Sequence, residues 1–164
     1  MKTTIFTLTI IFSLACLGVN AQDFDDIYKK YKKEQDVTGI KINKLGCLLL
    51  SLFGDDDNEE MSKLMKKSSS FRFLVSENAH NNNMENDIRK YIKKQKLEQL
   101  MSISEENENI EIFIRDKNEV IHQLLILIKG KNEQVIVHID GKYPLKMVQE
   151  LLSDKKSISI KTSL

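Results

Sequence analysis

Between Ile110 and Ile139 the sequence carries three strand patterns in succession, and that run constrains the fold more than any other part of the chain. In Ile110-Glu111-Ile112-Phe113-Ile114-Arg115 isoleucine occupies every even position, the two-residue period of a half-buried strand. Asp116-Lys117-Asn118 supplies turn chemistry, since Asp and Asn bond to nearby backbone and Asn tolerates positive φ. Val120 to Ile128 is almost unbroken apolar sequence, too continuous for a strand with one solvated face, and is expected at the centre of the sheet. A second turn, Lys129-Gly130-Lys131-Asn132, leads to alternation at Val135, Val137 and Ile139, and Asp140-Gly141 is expected to end the third strand.

If the first turn admits an extra residue as a bulge, Ile110, Ile112, Ile114, Leu124, Ile126, Ile128, Val135, Val137 and Ile139 share one face, the core face; a two-residue turn would swap the faces of the first strand. The opposite face then carries Glu111, Arg115, Gln123, Gln134 and His138 together with Phe113, Ile121, Leu125, Leu127 and Ile136. If the helices gather on the core side, those last five residues form an apolar patch amid polar ones, the mark of a partner or self-association surface. Helices on both faces would bury it instead.

The chain opens on Met1-Lys2, an apolar run from Ile5 to Leu17 and the small-residue end Val19-Asn20-Ala21, the three-part form of a secretory signal peptide. Its apolar part is shorter than the roughly 20 residues of a spanning helix. Cleavage is expected after Ala21, leaving residues 22–164 as a single domain without a transmembrane segment, delivered to the periplasm or outside the cell. A lipoprotein signal using Cys16 fits less well, because Ser13-Leu14-Ala15 is a poor lipobox. The 25 basic and 24 acidic side chains of the whole chain balance once Lys2 is removed. Neutrality argues against nucleic acid as a partner, since phosphate binding needs a basic excess.

Asp23 to Lys33 is a short helix by its apolar spacing at Phe24, Ile27, Tyr28 and Tyr31, with acids at its start and lysines at its end, as the helix dipole favours. Val37 to Asn43 alternates as a strand, and Leu45 to Phe53, apolar nearly all round, is expected as a short buried helix ended by Gly54. Asp55-Asp56-Asp57-Asn58-Glu59-Glu60 lacks the alternating spacing, central glycine and distal glutamate of a helix-loop-helix calcium site and reads as a solvated loop. Met61, Leu64 and Met65 make a helical turn before the strand Phe71 to Val75. A helix from about Asn83 to Lys94 aligns Met84, Ile88, Tyr91 and Ile92, followed by extended structure from Leu97 to Ser104. Pro144 suits the first turn of a last helix, with Leu145, Val148, Leu151 and Leu152 toward the sheet and a polar tail carrying Ile158 and Ile160. The fold class is α+β: a mostly antiparallel sheet of five or six strands with a C-terminal β-meander, packed by three or four short helices.

In this order the segments resemble the family called domain of unknown function 4252, small exported proteins of Gram-negative bacteria. The resemblance lies in the signal peptide, the Phe24 to Tyr31 helix leading into Val37-Thr38-Gly39-Ile40-Lys41-Ile42, Leu97-Glu98-Gln99-Leu100-Met101, Val120 through Ile128, and Val135 to Gly141 before a final helix. It spans nearly all of the chain after the signal peptide. Members often carry Glu where this chain has Gln123, and the stretch from Asp55 to Ser70 diverges. The resemblance implies a fold and no catalytic residues.

No convergent catalytic set stands out. Cys47 is a candidate nucleophile with His80, His122 or His138 as base, the basis of an alternative reading as a small envelope hydrolase or thiol enzyme. Its neighbours Leu45, Leu48, Leu49 and Leu50 point instead to a buried, inert thiol. As the only cysteine after Ala21, it has no intrachain disulfide partner. His122 and His138 are expected on opposite sheet faces, His122 near the core and His138 exposed, which does not make a metal site. Carboxylate pairs such as Glu98 with Glu111 or Asp140 with Glu150 arise by chance in a chain this rich in acids. Glycine loops for phosphate and basic stripes interleaved with aromatics are absent, so no cofactor is expected. The reading is therefore a non-catalytic extracytoplasmic interaction or regulatory module, with an envelope protein or a second copy as partner, engaged through Phe113, Ile121, Leu125, Leu127 and Ile136 or an exposed edge strand.

Overall fold

A computed structural model of the chain describes residues 23–53 and 59–153. The expected signal peptide with Cys16, residues 54–58 with the expected helix end at Gly54 and the three aspartates, and the tail after Ser153 lie outside the described residues. The described elements are α1 (Phe24–Tyr31), β1 (Val37–Asn43), α2 (Lys44–Phe53), α3 (Glu59–Lys67), β2 (Ser68–Ser76), α4 (Asn82–Gln95), β3 (Glu98–Ser104), β4 (Asn109–Lys117), β5 (Val120–Lys129), β6 (Gln134–Pro144) and α5 (Leu145–Ser153). The six strands form one antiparallel sheet in the order β1-β2-β6-β5-β4-β3. This is the α+β class that the strand and helix patterns call for, with the C-terminal meander in place and α3 longer than the single turn expected there.

Isoleucine alternation sets the register of the meander. Ile112 pairs with Ile126 and Ile126 with Val137; in the next row Ile114 pairs with Leu124 and Leu124 with Ile139. These residues pack with Phe71, Leu64, Tyr143 and Val148 in one core beneath α2, α3 and α5. Phe113, Leu125, Leu127 and Ile136 turn to the other face, where Phe24, Ile27, Tyr28 and Tyr31 of α1 and Met84, Ile88, Tyr91 and Ile92 of α4 cover them. The sheet is thus packed on both faces.

A β-bulge divides the two faces near the first hairpin. Arg115 pairs with Gln123 but Asp116 with Ile121, so His122 is the extra residue on β5. The bulge reverses the pleat, placing Ile121 in the core of Ile112 and Tyr143 while Gln123, Leu125 and Leu127 remain on the opposite side. The turn itself is Asn118-Glu119, both at positive φ, 53° and 62°. β6 continues past Asp140-Gly141 to Pro144, which pairs with Val120 as the final strand residue and is not in the helix that follows.

Helix ends follow their sequence signals. Asn81 caps α4 by accepting from Met84 N at 3.1 Å, and Lys96 ends it in the left-handed region. Gly39 sits where the end of α1 crosses β1; a Cβ there would lie 2.6 Å from Lys32 Cβ, so only glycine allows this approach. Asp87 of α4 accepts from Lys30 Nζ at 2.7 Å and from Tyr31 Oη at 2.8 Å, which ties the two helices together.

The left-handed Glu119 carries a steric penalty that glycine lacks. Glu119→Gly is therefore expected to stabilise the protein by about 1 kcal/mol, seen as a higher denaturant midpoint with unchanged slope.

Candidate functional site

A group of perturbed titratable side chains meets under α1 and α4. Arg72 of β2 lies opposite His138 of β6, and Gln123 of β5 lies opposite Asp140 of β6. Among the described residues Arg72 is the only Asp, Glu, Lys or Arg side chain that is buried. Its Nε donates to Asp25 Oδ1 at 2.6 Å and its Nη1 to Asp140 Oδ2 at 2.6 Å. Lys41 Nζ, at 3.0 Å, also binds Asp25, giving an alternating row of charges from the β1 edge inward.

Arginine can only donate, so His138 Nδ1, 3.1 Å from Arg72 Nη1, accepts. The proton of a neutral imidazole is then on Nε2, which donates to Tyr91 Oη at 3.0 Å. Tyr91 donates onward to Gln123 Oε1 at 3.3 Å, and Gln123 Nε2 donates to Asp140 Oδ1 at 3.2 Å. Asp140 also accepts from Ser70 and from Arg72, and the ring of donors closes. Phe24 stacks on the imidazole with ring centroids 4.1 Å apart, and Tyr91 meets both rings edge-on.

His138 is fully buried, contrary to the exposed position expected of a polar residue on an alternating strand. Burial pushes its pKa down to about 4, the Asp140 charge opposing the shift and Arg72 adding to it. Burial also raises the Tyr91 hydroxyl. Asp140 ends below the usual carboxylate range because His138, Arg72 and Ser70 together outweigh its own desolvation. Every group has a partner within the ring, so the arrangement is suited to holding the fold and offers no open reacting position.

The other sequence candidates separate. His122 is half-buried at the bulge and His80 is exposed. Glu111 pairs with Arg89, and no cluster of three His, Cys, Asp or Glu side chains suited to a metal occurs among the described residues. Cys47 has no solvent exposure, and burial raises its thiol pKa. The proposed sheet patch is not an exposed surface. Phe113, Leu125, Leu127 and Ile136 are buried beneath α1 and α4, and Ile121 is buried on the opposite face through the His122 bulge.

Apart from Ile40 of β1, the exposed large hydrophobic side chains among the described residues lie on α2, which is not the buried helix its composition suggests. Leu45 and Leu52 are each 65% exposed, and Leu48 and Leu49 are 47% and 45% exposed. Their i, i+3, i+4, i+7 spacing puts them in one stripe, while half-exposed Leu50 projects from another side of the helix. The inner face carries the small residues Cys47 and Ser51. Gly46 has Ile42 Cγ2 only 2.8 Å from where a Cβ would be, so the helix sits close on β1. Asn43 caps it by accepting from Gly46 N at 2.9 Å, and Ser62 of α3 donates to Ser51 O at 3.0 Å near its end. The recoverable signal is small residues at 46, 47 and 51 opposite leucines at 45, 48, 49 and 52, a helix turned inside out.

The family model for a domain of unknown function (DUF4252) matches residues 31–151, most of the chain, and the chain belongs to that family. No curated protein matches it. Among the described residues, no helix is long and apolar enough to cross a membrane.

Three outcomes follow from the ring and the thiol. His138 is protonated more readily in the unfolded chain than in the native one, so its contribution is complete above pH 6.5 and lost as pH falls toward about 4. Stability should fall on the order of 3 kcal/mol across that window, and His138→Gln should flatten the slope in pH-dependent urea unfolding. Arg72→Met leaves Asp25 and Asp140 without their shared cation, an expected loss of about 3–5 kcal/mol by the same assay. Cys47 should resist an aromatic disulfide reagent in the native protein and react on unfolding; rapid native labelling would revive the thiol-enzyme reading.

Proposed function

We propose that this family member is a non-catalytic extracytoplasmic interaction module that docks through the leucine stripe of α2. The observation that carries the reading is a helix capped at its start by Asn43 and holding five leucines between 45% and 65% exposed. Apolar surface gathered in this way on a folded domain gains free energy when a partner removes it from water. The buried polar ring supports the non-catalytic half of the reading, since its groups satisfy one another. Export rests on the three-part N-terminal pattern from Met1 to Ala21.

Chemical cross-linking of the protein in the intact cell envelope, followed by capture and mass spectrometry, tests this. A partner, foreign or a second copy, is expected for the wild type and for Cys47→Ala. Leu48→Lys, placing a charge in the middle of the stripe, is expected to abolish capture while leaving the circular dichroism spectrum unchanged. Undiminished capture by a folded Leu48→Lys protein would remove α2 from the interface.

A further inference from the structure

We propose that the occupant of the α2 stripe is a second copy of this chain, docked antiparallel about a two-fold axis that passes between Leu48 and Leu49. This rests on α2 being the docking surface and adds the identity of what covers it. A two-fold interface is made of the same patch twice, so the patch must be complementary to itself. The stripe has that property. Its spacing, Leu45, three on to Leu48, one on to Leu49 and three on to Leu52, reads the same from either end. Exposure follows the same symmetry, with 65% at both ends and 47% and 45% at the centre. Antiparallel pairing sets Leu45 of one copy beside Leu52 of the other, with the less exposed central pair at the axis.

Charge selects the same arrangement. Lys44, the only charged residue of α2, is the first residue of the helix, and the last turn carries no basic residue. A helix has roughly half a positive charge at its N-terminus and half a negative charge at its C-terminus, so α2 has its lysine at the wrong end and none at the right one. Lys44 is exposed and takes part in none of the ion pairs among the described residues. In the antiparallel pair each Lys44 lies against the partner's helix C-terminus, and both mismatches are corrected at once. A parallel pair would set the two lysines side by side. An anionic lipid surface fits less well, because Asp55, Asp56 and Asp57 follow the helix in the sequence and are repelled by it.

Sedimentation equilibrium on the purified protein reads the pairing directly. A monomer–dimer equilibrium is expected. Leu49→Asp, with Leu49→Gln used if the aspartate variant loses its native circular dichroism, is expected to weaken it at least about tenfold. Lys44→Glu is the discriminating variant. It improves the charge at its own helix start, so the thermal midpoint of the monomer should hold or rise, yet it opposes the partner's helix end and should weaken the dimer roughly threefold. A dimer strengthened by Lys44→Glu would overturn the antiparallel arrangement. A wild-type protein that stays monomeric up to about 1 mM, while Leu49→Asp abolishes cross-linking to a foreign envelope protein, would overturn self-pairing and leave the docking face standing. If Leu49→Asp alters neither, both are wrong.

Discussion

The Arg72 guanidinium is the interaction on which the rest of the architecture depends. A buried cation is unfavourable unless it is neutralised and its donors are used, and the partners that do this come from separate parts of the chain. Asp25 belongs to α1, Asp140 and His138 to β6. Through His138 the same centre reaches Tyr91 of α4, and through Tyr91 it reaches Gln123 of β5. The two helices that cover this sheet face are therefore held by direction-specific bonds as well as by area. Apolar packing of Phe24, Ile27 and Tyr91 would tolerate a small slide along the sheet; a closed ring of donors and acceptors does not.

Much of the architecture can be read in the chain because one residue type repeats at the right period. Isoleucine on alternate positions of β4, with valine and isoleucine alternating on β6, is enough to sort the meander into faces and to require a bulge. The position of that bulge is not legible, since it falls on His122 and not in the turn, and a single unpaired residue reverses the side taken by Ile121. Polar identity misleads at His138. Its place among polar residues such as Glu111 and Gln134 suggests solvent, and only the long-range pairing of β2 with β6 brings the arginine that makes burial tolerable. Such a partner lies 66 positions away and leaves no local pattern.

The α2 surface escapes notice for a related reason. A segment written Lys-Leu-Gly-Cys-Leu-Leu-Leu-Ser-Leu-Phe looks buried by its mean composition. What decides its orientation is steric. The small Cys47 and Ser51 are buried, and Gly46 leaves room for Ile42 of β1, while the leucines face outward. The side facing the protein is thus set by size and the side facing solvent by exclusion, the reverse of the usual amphipathic logic.

The strand order carries a further consequence for how this chain is completed. β3 to β6 pair as sequential neighbours and need only short loops to meet, whereas β1 and β2 join the sheet solely by docking β2 against β6, the last of the described strands. Closing a contact over so long a loop is entropically slow compared with forming hairpins. Until it closes, β2 has no partner for its second edge and Arg72 has neither His138 nor Asp140. The β2–β6 seam is therefore expected to close late in assembly, and the hydrogen-bonded ring lies across it, complete only when the register is correct.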